Sequence, residues 1–290
     1  VEVPAYPATL HALRLAQARI LPIPTDEQGL QTDALADLLA ALPADQRPKL
    51  LYTVPNFSNP RGTLLAAERR EALVQLARQH GFWVVEDDPY GELRFDETGG
   101  VPQAMPGTVR TAGERLAAGG SNPVVYLSSL SKTVAPALRV GWMLADAPLL
   151  RRCTVAKQTA DLCTSPLTQS VAACYLASGR YPATVQRARQ EYQRRMLALV
   201  QGLNAAPDSG IRCSRPAGGM FVWAELDRRI DPQKLFDAAV AQGVVYVPGK
   251  AFYPADPDLH TLRMSFAAPE VPQIAQAVER LCQAMHSAMK

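Results

Sequence analysis

Lysine is scarce in this chain, at six of 290 residues against twenty-four arginines. Arginine is its general surface cation, so each lysine invites individual inspection. Cysteine is sparse too. Cys153, Cys163, Cys174, Cys213 and Cys282 are odd in number and widely spaced, with no CxxC and no histidine pair nearby. That pattern excludes a disulfide or zinc framework, so no metal is expected and the cysteines read as buried thiols in a reducing compartment. Also missing are any apolar run near the ~18 residues that span a bilayer and any basic N-terminal segment leading into an apolar one. A cytoplasmic protein is expected. Charge of one sign is absent as well: the formal net charge is +3, with arginines scattered among acidic residues. No nucleic-acid surface is indicated.

What is present is a globular composition, 48% hydrophobic and 20% charged, long enough for one large or two ordinary domains. Apolar, β-branched runs at Arg19 to Pro24, Leu50 to Val54, Phe82 to Glu86, Val124 to Leu127 and Val140 to Ala145 read as strands. Helical spacing separates several of them, at Leu35 to Leu42 and Leu64 to His80. The alternation predicts an α/β fold with a mainly parallel sheet sandwiched by helices. The segment Asp96 to Pro123, rich in Gly, Pro, Thr and Ala, breaks the pattern. It reads as an exposed, mobile connection with a short helix around Val109 to Ala118.

Helices are expected from Pro148 to Lys157, from Pro166 to Ser178 and from Pro182 to about Leu203. A smaller α+β unit follows, with strands at Gly219 to Leu226, Val244 to Val247 and Thr261 to Phe266, and helices at Pro232 to Gly243 and from Val271. The boundary is placed inside the long helix, giving domains at 1–185 and 186–290. The sequence starts at Val1, and its first residues read as the end of a strand entering a turn, so a segment upstream is expected.

Among the six lysines, Lys132 stands in Ser129-Leu130-Ser131-Lys132-Thr133, with Arg139 seven residues on. An amine whose site disfavours the ammonium form can condense with an aldehyde, which arginine cannot do. Two serine hydroxyls and a fixed positive charge beside it suit a phosphate monoester. An aldehyde carrying a phosphate is pyridoxal phosphate. That cofactor wants an anion against its ring nitrogen, and the strand Phe82-Trp83-Val84-Val85 runs into Glu86, Asp87, Asp88 and Tyr90. Ligands sit beyond the carboxyl ends of strands in such sheets. Asp87 is the candidate, with Tyr90 donating to the ring hydroxyl oxygen; without Lys132 the carboxylates would read as helix caps. Thr53-Val54-Pro55-Asn56-Phe57-Ser58-Asn59-Pro60 is a second strand end, and an asparagine amide there could bond the ring oxygen and a substrate carboxylate. Arg263, in the apolar run Leu262 to Phe266, is either a fork for an α-carboxylate or a solvated edge-strand arginine.

Taken in order, PAY at 4–6, TVPNFSNPRG at 53–62, EDDPYGELRF at 86–95, SSLSKTVAPALRVGW at 128–142, GGMFVW at 218–223 and LRMSFA at 262–267 resemble the fold type I pyridoxal-phosphate enzymes. Within them the chain is similar to class I/II aminotransferases of the 2-aminoadipate and kynurenine group. The resemblance implies that Lys132 forms the Schiff base with the cofactor, that Asp87 pairs with the ring nitrogen, and that Tyr90 and Asn59 contact the ring hydroxyl. It implies a phosphate held by Ser129, Ser131 and Arg139, a ring stacked by Tyr6, a substrate carboxylate held by Arg263 and Asn59, and a homodimer. Tyr6 comes from the resemblance alone.

Two departures stand out. Arg61 occupies the third place of Asn59-Pro60-Arg61-Gly62, where the family usually has threonine, and the family's N-terminal region, with a strand, a phosphate-binding helix start and a pocket arm, has no counterpart after Val1. The expected activity is amino transfer from an L-amino acid to a 2-oxo acid. The alternatives are the aminotransferase-like effector domain of a transcription regulator and a pyridoxal-phosphate lyase or decarboxylase.

Overall fold

The structure, a computed structural model, describes residues 1–95, 105–117, 120–206 and 210–289. From the N-terminus, β1 (Glu2–Val3) leads into α1 (Pro7–Leu15), β2 (Ile23–Asp26), β3 (Gly29–Leu30) and α2 (Thr32–Ala41). Then come β4 (Leu50–Thr53), α3 (Ala67–His80), β5 (Trp83–Asp87), α4 (Val109–Ala117), β6 (Val124–Ser129) and β7 (Gly141–Leu144). Helices α5 (Ala147–Asp161), α6 (Pro166–Ala177) and α7 (Tyr181–Asn204) lead to β8 (Ile211–Cys213), β9 (Phe221–Leu226), α8 (Pro232–Ala241), β10 (Val247–Pro248), β11 (Thr261–Ser265) and α9 (Val271–Ala288).

The sheet that positions the site has the order β4-β5-β6-β7. Its first three strands are parallel and β7 returns antiparallel on β6. Helix α3 shows why its segment folds as it does: Arg70, Leu73, Val74 and Ala77 are buried at helical spacing. Gly81, at φ 72°, ends the helix in the left-handed conformation and donates its N–H to Ala77 O. The stripe packs into a core with Leu30, Leu35, Val84 and Val124.

A second, antiparallel sheet has the order β10-β11-β9-β8. Helix α9 covers it with Ile274, Val278, Leu281, Met285 and Ala288, again one stripe, and starts in a capping box between Glu270 and Gln273. Val222 and Leu262 from the strands, Phe266 just beyond β11, and Met196 and Leu203 from α7 fill the same core. The α/β architecture with a parallel sheet between helices is the one the sequence predicts.

Local expectations fare unevenly: none of the five cysteines is buried, and Cys163 and Cys174 are exposed. Arg19 to Pro22 are not strand, because β2 begins at Ile23, and α1 and β3 were not anticipated. Val244 to Tyr246 likewise lie outside β10, which starts at Val247; Val245 is exposed. In the segment from Asp96 to Pro123, residues 96–104 lie outside the described residues, and the short helix expected there is α4, which packs Val109 and Ala112 into the α3 core. By contrast, β7, α5 and α6 are thinly covered: α5 buries no side chain, α6 buries only Ala172, and Trp142, Leu144, Leu162 and Leu167 are exposed.

Candidate active site

Strands β4, β5 and β6 run parallel, so the segments that follow them leave from one edge of the sheet. Those segments hold Asn59, then Asp87 to Tyr90, then Ser129 to Arg139. Along β5 and beyond, burial alternates residue by residue: Val84, Glu86, Asp88 and Tyr90 are buried while Val85 and Asp87 are half-buried. A strand's period of two thus points neighbouring carboxylates to opposite faces and gives the three different surroundings.

Glu86 receives the N–H groups of Val109 and Arg110, both at 2.8 Å, and so caps the start of α4. Burial raises its pKa to about 7, against the pull of those two donors. Asp88 accepts from Gly91 N at 2.9 Å and from the Tyr126 hydroxyl at 3.1 Å, while Ser128 Oγ donates to its carbonyl at 2.7 Å. It ties the turn after β5 to β6. The capping role weighed for this cluster therefore belongs to Glu86.

Asp87 is different. Its Oδ2 accepts from the Tyr52 hydroxyl at 2.5 Å. Burial raises its pKa, the Tyr52 bond lowers it and Asp88 raises it again, and no cation is among these influences. Tyr52 was not singled out from the sequence. Register would have found it: Tyr52 pairs with Val85 across the β4–β5 ladder, and Val85 shares a face with Asp87.

Asn59 is buried, and its Oδ1 accepts from Arg263 Nη1 at 2.7 Å. The amide also faces the buried Tyr90 phenol, whose pKa burial raises. Arg263 lies on β11, an inner strand flanked by β10 and β9, which removes the edge-strand reading. Its guanidinium carbon stands 4.1 Å from the Phe221 ring centroid and 5.1 Å from that of Phe252. Flanking rings hold the fork flat, by contacts of the cation–π kind. Its Nε is buried and has no hydrogen-bond partner among the described residues. Tyr6, the exposed residue that caps α1, is near enough to influence Arg263 and Tyr90 electrostatically.

The segment after β6 is held differently. Val134 N and Ala135 N both donate to Leu130 O, closing a turn around Ser131 and Lys132. Ser129 Oγ accepts from Ser131 N at 3.2 Å. Arg139 is exposed, in the left-handed conformation at φ 53°, and among the described residues its side chain reaches only Pro136 O, at 3.5 Å. No hydrogen bond joins Lys132, Ser131 or Arg139 to Asp87, Tyr90, Asn59 or Arg263 among the described residues; adjacent strands alone make them neighbours.

A further anchor lies beneath the β4 segment. Arg70, fully buried, donates to Leu65 O, Gly107 O, Pro55 O and Asn56 Oδ1. It fastens the start of the loop that carries Asn59 to α3.

The family model described as aminotransferase class I and II matches residues 1–281. Aromatic-amino-acid aminotransferase 1 of Thermococcus litoralis is 34% identical, over 100% of this chain and 67% of its own length. A crystal structure of Pyrococcus horikoshii kynurenine aminotransferase, in complex with PMP, is matched at a TM-score of 0.90 and 34% identity, covering 100% of this chain and 69% of that one. An uncharacterized HTH-type transcriptional regulator of Bacillus subtilis is 29% identical over 92% of this chain and 51% of its own length. This chain thus spans about two thirds of the length of the two aminotransferases. Matched from end to end, with the strand-end segments in their expected order, it belongs to the class I and II aminotransferases, fold type I enzymes that work with pyridoxal phosphate.

Proposed function

We propose that this site transfers the amino group of an L-amino acid to a 2-oxo acid, with Lys132 as the covalent and proton-moving residue. The observation that carries this reading is Asp87: a half-buried carboxylate, oriented by Tyr52 and without a cation among its influences, suits a protonated ring nitrogen. The unpartnered Arg263 Nε beside Asn59 suits an incoming carboxylate in the same way. Pyridoxal phosphate, when bound, supplies an aldehyde that condenses with amines and a ring that withdraws electrons from the substrate's α-carbon.

In this reading Asp87 holds the ring nitrogen protonated, and Asn59 and Tyr90 bind the ring hydroxyl. Tyr6 covers the ring face. Ser129, Ser131 and Arg139 hold the phosphate. Arg263 binds the amino acid's α-carboxylate, with its angle set by Phe221, Phe252 and Asn59. Lys132 would hold the cofactor covalently; once freed by the substrate's amine, its Nζ would take up the α-proton and hold it for return to the cofactor. The domain division falls within α7, at 185/186. A cytoplasmic homodimer is part of the same proposal: the described cysteines are free thiols, and the exposed apolar side chains of β7, α5 and α6 suit an interface.

Mixing the protein with pyridoxal phosphate, reducing with borohydride and mapping the labelled peptide tests the assignment. Label on Lys132 supports it, and label confined to other lysines sinks it. A second reading, the effector part of a regulator, rests on the likeness to the Bacillus subtilis protein. Binding of cofactor and amino acid without release of a 2-oxo acid would favour that reading.

A further inference from the structure

Outside the residues just assigned, one group touches the site through an assigned residue: Tyr52. It sits on β4, buried, and spends its hydroxyl proton on Asp87 Oδ2 at 2.5 Å. A carboxylate has two oxygens that can turn about one bond, so a fixed donor on one of them decides where the other points. The bond spans adjacent strands, and the Tyr52 ring is packed with Val54, Phe57, Tyr90 and Leu93, so neither partner is free to drift.

We propose that Tyr52 is a positioning residue for Asp87, aiming its second carboxylate oxygen at the cofactor's ring nitrogen and thereby setting how strongly the protein selects a ring that carries that nitrogen. This rests on the reading of Asp87 given above. Two further groups stand near the phenol. Thr9 on α1 is close to its hydroxyl, and Thr9 is one turn along from Tyr6, the cap of that helix. Burial opposes ionisation of the phenol, as do the neighbouring carboxyl groups of Asp87 and Glu2, the latter buried and bonded to Thr53 Oγ1 at 2.6 Å and Val54 N at 2.8 Å. Tyr52 therefore stays a donor to Asp87.

The test compares two cofactors on three proteins. Pyridoxal phosphate and its 1-deaza analogue, in which carbon replaces the ring nitrogen, differ only in the atom Asp87 would contact. Their dissociation constants are measured with the wild type, Tyr52→Phe and Asp87→Asn, using fluorescence quenching and no turnover. The wild type should favour the natural cofactor. In Tyr52→Phe that preference should shrink by roughly tenfold, the size of one hydrogen bond to a charged group, while affinity for the deaza analogue stays the same. A structural role alone would weaken both ligands equally and overturn the proposal, as would an unchanged preference. If Asp87→Asn retains the full preference, the reading of Asp87 itself is wrong and the inference falls with it. Should Tyr52→Phe not fold, Thr9→Val keeps the phenol but loosens it, and the same preference must fall there by a smaller factor; no fall overturns the proposal.

Discussion

The two sides of the site are built on different terms. On the β4, β5 and β11 side, Tyr52, Asp87, Asn59, Tyr90 and Arg263 are joined to one another by hydrogen bonds or close contact and packed against aromatic rings. On the β6 side, Ser131, Lys132 and Arg139 have little beyond the turn that carries them, and the neighbouring β7, α5 and α6 bury few side chains. The first side is already shaped, so a ligand that meets it loses little to rearrangement. The second offers an amine with no hydrogen bond among the described residues and an exposed cation, which suits the proposed role of Lys132.

That contrast can be broken where it should matter most. Lys132→Ala should lower transamination by about 10³-fold or more, the scale of a lost proton-transfer group, with the thermal midpoint unmoved. Steady-state turnover beside a melting curve decides it, and an active variant would remove Lys132 from the chemistry. Arg70→Met strikes the shaped side. Four acceptors lose their donor, and unfolding in urea should show a loss of about 3 kcal/mol or more.

Arg263→Ala should weaken amino-acid binding by about 2 to 3 kcal/mol, as for a lost charge-assisted contact, and should spare cofactor affinity; calorimetric titration of both ligands separates the effects. Arg139→Ala is the counterpart on the loose side. Being exposed, it should change stability by less than about 0.5 kcal/mol while weakening the cofactor through its phosphate, which equilibrium dialysis measures.

The smallest effect is one of pH. Glu86 has its folded pKa raised from 4.5 to about 7 by burial, so folding favours its protonated form. Its contribution is complete below about 4.5 and is lost as pH rises through about 7. Glu86→Gln keeps an acceptor for the start of α4 but cannot ionise. Melting curves between those limits should therefore decline less steeply with rising pH in the variant than in the wild type.

Much of the layered fold was legible because alternating periods of two and of three to four residues mark strand and helix directly. The residue types suited to the cofactor were legible too, since a lysine among hydroxyls and a carboxylate at a strand end carry their chemistry on the surface of the sequence. What escaped was everything set by distance. Tyr52 lies 35 positions from Asp87 and acquires meaning only through strand register. Arg70 looks like any helical arginine until its burial is known, and the helix expected at α4 gave no sign that Glu86, on β5, caps its start. Arg263 was readable as residue type but not as an inner-strand fork, because strand order is a tertiary fact.

The three successive carboxylates on and just after β5 carry a consequence for how this gene can change. Each has its own task, and the pleat alone distributes them. A single-codon insertion or deletion upstream in β5 would rotate all of them by one place. A helix would lose its cap, a turn its anchor and the proposed cofactor counter-ion its place in one step. Point substitutions here can be tested by selection one function at a time, but a change in length cannot, and the reading frame of the strand is inherited as a unit.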